Sequence, residues 1–218
     1  MTHSTIIARF ILAIALTMLP SWAQNDILQQ TFRAIPEGGI LKSTFTQKRY
    51  LKGIPYALTS SGDVTLWAGK GVLWRTQTPF PALLVMNQTG LYHGQGTTKT
   101  SLFKNGKMGK EGAIFDILSN ILKGNFSQIK GFSTSILSQT TKGTTWGVRL
   151  TPHGQLAKFI SSVEIEGIQK DHKQLISHIS IKRTNGDHDE IMLKDPRLYG
   201  PEEATKALTM QEQDLLND

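Results

Sequence analysis

The sequence predicts a mainly β (α+β) fold: a highly curved antiparallel sheet of roughly ten strands with helices against one face. Three observations carry this. Apolar and polar residues alternate over short stretches, as where Trp146, Val148 and Leu150 interleave with Thr145, Gly147 and Arg149. Turns rich in glycine, proline and asparagine separate these stretches, and 20 of the 218 residues are glycine. One stretch alone, 114–122, gives a clear helical stripe, with Ile114, Phe115, Ile117, Leu118, Ile121 and Leu122 on one side.

The elements follow in chain order. Residues 1–23 read as a cleaved secretory signal: Arg9, an apolar run from Phe10 to a stop at Pro20, then Ser21-Trp22-Ala23 as the small-x-small cleavage pattern. The run is shorter than the ~20 residues of a membrane span. Residues 25–35 predict a short helix stopped by Pro36. Strands are then expected over 40–51, 57–67, 72–77, 82–87 and 91–93, with Gly69-Lys70-Gly71 and Thr89-Gly90 as turns and Pro79 and Pro81 at a corner. A weak strand at 100–104 precedes the helix at 114–122, which Gly124 can cap. Strands return at 132–140, 144–151, 162–168, 175–183 and 187–194, with one helical turn within 152–160. Asn185-Gly186 is the best hairpin signal. Pro196 and Pro201 are expected to end the sheet, leaving 24–195 as the folded domain and 196–218 as a charged C-terminal tail or helix.

Composition excludes several chemistries. The chain has no cysteine, so it has no disulfide, thiolate metal site, iron–sulfur cluster or cysteine nucleophile. Its 24 Lys and Arg outweigh 17 Asp and Glu, and loss of the leader removes only Arg9, leaving +6. No recognition-helix or RNA-binding signature accompanies that charge, so nucleic acid is not an expected partner. Anionic lipid or an acidic protein suits it better. No Gly-x-Ser-x-Gly elbow, His-Glu-x-x-His pattern or dinucleotide loop occurs. The run Asp187-His188-Asp189-Glu190 is the one metal-like cluster, but adjacent strand residues point to opposite faces, so it reads as a solvated turn. No catalytic residue, metal or cofactor is therefore expected, and the chain is not read as an enzyme.

What stands out is apolar surface. Phe45, Leu66, Trp74, Leu84, Met86, Trp146, Val148, Leu150, Ile165 and Ile179 are all candidates for one face of the sheet. A barrel of around ten strands is too wide for its own side chains to fill, so a cavity is expected there. Such a lining suits an acyl chain, and the 114–122 helix is placed to lie across the opening.

Several phrases resemble the LolA family of periplasmic lipoprotein carriers. They are Phe45-Thr46-Gln47-Lys48, Ser60-Ser61-Gly62-Asp63, Leu73-Trp74 followed by Pro79, and Trp146-Gly147-Val148-Arg149-Leu150-Thr151-Pro152. The stretch from Ile165 to Ile181, with Ile176-Ser177-His178-Ile179, is similar to the two strands that follow in that family. The resemblance implies an unclosed antiparallel barrel of ten to eleven strands around a hydrophobic cavity. Its lid would be the helix bearing Ile114, Phe115, Leu118, Ile121 and Leu122. It implies a monomeric periplasmic carrier of acylated lipoproteins or related lipids, served by an inner-membrane transporter and an outer-membrane acceptor. The alternative is a periplasmic sensor or adaptor on the same fold that acts through a membrane-protein partner. The chain departs from the family where a Lys-Arg-Pro step precedes the tryptophan strand. Ala68 stands at the arginine position and Gly69 at the proline, with Lys70 and Arg75 the nearest basic residues.

Overall fold

The computed structural model describes residues 35–87, 90–95, 98–102, 117, 120–122, 124, 126, 129, 131–139, 145–170 and 173–217. The leader at 1–23, the helix expected before Ile35, and Ile114, Phe115 and Leu118 lie outside the described residues. Eleven strands are described: β1 Ile40–Tyr50, β2 Leu58–Trp67, β3 Gly71–Thr78, β4 Ala82–Asn87, β5 Gly90–Gln95, β6 Thr98–Ser101, β7 Phe132–Gln139, β8 Thr145–Pro152, β9 Ile160–Lys170, β10 Lys173–Arg183 and β11 His188–Tyr199. They form one sheet in the order β6-β5-β4-β3-β2-β1-β11-β10-β9-β8-β7. Two meanders, β1–β6 and β7–β11, are stitched together by the antiparallel β1–β11 pair. β6 and β7 are the two edges, so the sheet is not closed.

Topology then fixes where the middle of the chain must go. The segment after Leu102 starts at one edge and reaches the other at Phe132. Within it Ile117 and residues 120–122 are helical. Ile117, Ile121, Leu122, Phe126 and Ile129 are buried in the same cluster as Phe45, Trp74 and Trp146. These five described residues therefore lie on the inner face of the sheet.

Strand alternation separates two faces. The inner face carries Phe45, Val64, Leu66, Val72, Trp74, Trp146, Val148, Leu150, Val163, Ile165, Ile179, Ile181 and Ile191. On the outer face the halves differ. Over β8–β11 it is a ladder of charge: Arg149 donates to Glu164, and His178 lies between Glu166 and Glu190. Over β1–β5 it is apolar, with Ile40, Trp67, Leu73 and Val85 buried beneath Ala204, Leu208, Leu215 and Leu216.

Those last four residues come from the stretch read as a charged tail or helix. It forms helices at Ala204–Ala207 and Met210–Leu216, the second seated on β3 and β4. The sheet also outruns its expected end, because β11 continues through Pro196 to Tyr199. Proline cannot donate to a ladder, and a bulge removes the difficulty. The β1–β11 register shifts between Lys42 and Thr44, Asp195 adopts φ 52°, and the Ser43 hydroxyl donates to the Lys194 carbonyl at 2.7 Å.

A buried carboxylate fastens the second helix. Glu212 accepts from the Thr209 N–H and from the Lys42 ammonium, each at 2.9 Å, while the Thr209 hydroxyl accepts from the Glu212 N–H at 3.2 Å. Burial alone would raise the Glu212 carboxyl, but these hydrogen bonds and the charges of Lys42 and Arg75 outweigh it and hold it below its ordinary value. A group lowered in the folded state stabilises above its unfolded value and loses that contribution as pH falls through the folded one. The helix is thus expected to stay docked above about pH 4.5 and to loosen below it. Amide exchange across 210–216 at pH 7 and pH 3 measures this, and Glu212→Gln should flatten the dependence. Equal protection of the native protein at both values would refute it.

Candidate apolar binding face

The inner face is built residue by residue from alternation and register. Phe45 on β1 and Trp74 on β3 straddle β2, their ring centroids 4.2 Å apart. Leu84 and Met86 pair with Trp74 and Val72 across β3–β4. On the other half, Val148 faces Ile165 and Ile165 faces Ile179 across consecutive strands. Trp146 lies opposite Gly167, and a Cβ there would stand 2.2 Å from the indole. Glycine at that position makes room for the ring.

All ten expected residues belong to this one face: eight are buried, and Leu84 and Met86 are partly buried against them. Of the lid residues, Ile121 and Leu122 are buried on it. Sequence reasoning passed over Phe126 and Ile129, although both are apolar residues between the Gly124 and Gly131 turns. Phe126 meets Trp146 at 5.9 Å between centroids.

Among the described residues, Ile117, Ile121, Leu122, Phe126 and Ile129 lie against this face. Among the described residues, a narrow crevice lies where Leu122 meets Leu41, Leu193, Gln174 and Ile176. The buried side-chain amide oxygen of Gln174, Oε1, has no hydrogen-bond partner among the described residues. Leaving an acceptor so costs about 1–3 kcal/mol, which a donor on a bound molecule would recover.

The opposite end of the face is closed by charge. Asp189 is 1% exposed. Its carboxylate accepts from the Arg49 Nε at 2.7 Å and the Gln47 Nε2 at 3.0 Å, and pairs with the Arg183 guanidinium. This corrects the reading of residues 187–190 as a solvated turn. Their side chains diverge, with His188 stacked on Tyr50 at 4.4 Å and Glu190 bound to His178 and Ser180, but Asp189 points inward.

Neither basic residue near Ala68 reaches this face. Lys70 sits over Trp67, and Arg75 alternates with Trp74 and acts on Glu212, both on the outer side. Ala68 itself is buried in the inner cluster. Among the described residues, the arginines that meet the inner face are Arg49 and Arg183, which strand pairing brings together.

No family model matches the chain, and no curated protein matches it. Solved structures are similar to it. A LolA superfamily protein from Nitrosomonas europaea has 9% identity over 79% of this chain and 92% of its own, with a TM-score of 0.44. A putative outer membrane lipoprotein-sorting protein domain from Vibrio parahaemolyticus has 10% identity over 84% and 96%, with a TM-score of 0.38. The Pseudomonas aeruginosa MucA/MucB complex has 10% identity over 84% of this chain and 60% of that one, with a TM-score of 0.42.

Proposed function

We propose that this chain is a periplasmic carrier. It would hold acyl chains of lipoproteins or related lipids on the inner face and move them from the inner to the outer membrane. One observation carries the reading: a continuous apolar face is covered by residues outside the strands, Ile117, Ile121, Leu122, Phe126 and Ile129, and not by closure of the sheet itself. A cover of that kind can leave without breaking a ladder hydrogen bond.

The energies are matched. The five buried apolar side chains of this cover contribute ~1.5–3 kcal/mol each. One acyl chain of about sixteen carbons offers ~0.8 kcal/mol per CH₂, or roughly 12 kcal/mol in all. Exchange of cover for ligand is then close to balanced, which is what loading and release require. The Gln174 oxygen is an acceptor for a donor at the head of an acyl chain. The activity is binding and release, with no chemical step.

Residues 24–218, purified from periplasm without detergent, are expected to yield an acylated molecule at near one-to-one ratio on solvent extraction and mass spectrometry. An empty protein that also refuses an acyl probe would overturn the carrier. The dense packing of the inner face would then favour the second reading, an adaptor with a permanent core that acts through a membrane-protein partner.

A further inference from the structure

In an antiparallel sheet alternate connections emerge at the same rim. Here the β3–β4, β1–β2 and β10–β11 turns and the β8–β9 connection share one. The contacts confirm this alignment: the Lys52 N–H donates to Asp187 at 2.9 Å, the Thr184 N–H to the Phe159 carbonyl at 3.1 Å, and the Ser61 and Thr78 hydroxyls bond at 2.7 Å.

This rim has an unusual surface. Phe80, at the tip of Pro79-Phe80-Pro81, is 80% exposed, and Tyr56 is 67% exposed. Ile54 and Leu58 are exposed beside Tyr56. Across residues 48–52, 153–159 and 182–189 there are six Lys and Arg against two Asp. Arg49 and Arg183 are held by Asp189, Lys182 reaches Glu164, and Asp187 accepts from the Lys52 N–H and Asn185, so the charge the rim presents comes from Lys48, Lys52 and Lys158.

We infer that this rim docks on an anionic phospholipid surface. Basic residues near such a surface are drawn to its negative potential, while aromatic tips sit at headgroup depth. The apolar groups stand on two turns, Ile54, Tyr56 and Leu58 at the β1–β2 turn and Phe80 at the β3–β4 turn. That suits shallow insertion into a fluid layer better than the face of one folded partner. The Arg49–Asp189–Arg183 cluster that closes this end of the inner face lies beside the rim. The inference does not rest on the carrier reading, because it concerns the rim with no cargo bound.

The test is cosedimentation of residues 24–218 with phosphatidylethanolamine vesicles, with and without phosphatidylglycerol, at low and raised salt. Binding is expected only to the anionic vesicles and should fall as salt rises. Lys52→Glu with Lys158→Glu is expected to weaken it by at least an order of magnitude, from roughly fivefold per charge. Phe80→Ser with Tyr56→Ser should weaken it about tenfold, and Met210→Ser, equally exposed on the C-terminal helix, should leave it unchanged. All these side chains are exposed, and thermal melts check that the variants fold. Phe80→Trp adds a direct readout, since brominated acyl chains should quench an inserted indole. Absence of binding at low salt, equal binding to neutral vesicles, or full binding by both rim variants would overturn the inference. Binding to an acidic protein without binding to anionic vesicles would overturn it in favour of a protein partner.

Discussion

Asp189→Ala is expected to destabilise the protein by about 3 kcal/mol, the low end of what removing one partner of a buried ion pair costs. Asp189 is almost fully buried, and one carboxylate satisfies Arg49, Arg183 and Gln47 together. Without it two guanidinium groups face each other at the end of an apolar face. Nearly half of the Arg49 side chain reaches solvent and stays hydrated. Only 17% of Arg183 does, so Arg183 bears most of the penalty. Urea unfolding measures the loss. Arg183→Met in the alanine background should restore part of it by removing the stranded charge. A loss below about 1 kcal/mol would mean that the cluster behaves as a surface pair.

That cluster also shows where sequence reading stops. The strands of the inner face were legible because their alternation is local: Trp146, Val148 and Leu150 announce their own side. The Asn185-Gly186 turn was legible for the same reason, since φ at Gly186 is 94°. Burial of Asp189 is not local. It follows from β1 and β10 both bringing an arginine to β11, and a run of Asp, His, Asp and Glu looks solvated until those neighbours are known. The C-terminal helix lies between the two cases. Its charged composition left tail and helix both open, and Thr209-Met210-Gln211-Glu212 has the capping-box spacing that opens a helix. Leu208, Leu215 and Leu216 then supply the apolar side that the outer face of β3 and β4 needs. Pro196 misled in the other direction. A single proline read as a stop was absorbed by a bulge, which only the β1–β11 register reveals.

The cover of the inner face gives the sharpest functional expectation. Ile121 and Leu122 are fully buried against the inner face, and neither belongs to a strand. Ile121→Ser with Leu122→Ser should weaken the hold of the cover by ~3–6 kcal/mol while leaving every ladder hydrogen bond intact. If the cover and an acyl chain compete for one surface, a weaker cover raises apparent affinity until the open form predominates. Uptake of a fluorescent fatty acid is then expected to improve more than tenfold, although the protein becomes less stable to urea. Phe45→Ser is the counterpart in the wall itself, and it should lose both stability and uptake. The two variants separate cover from wall, because they share a stability cost and differ in the sign of their effect on binding. Reduced or unchanged uptake in the Ile121 and Leu122 variant, with the sheet still folding cooperatively, would make these residues part of a permanent core and remove the basis for exchange.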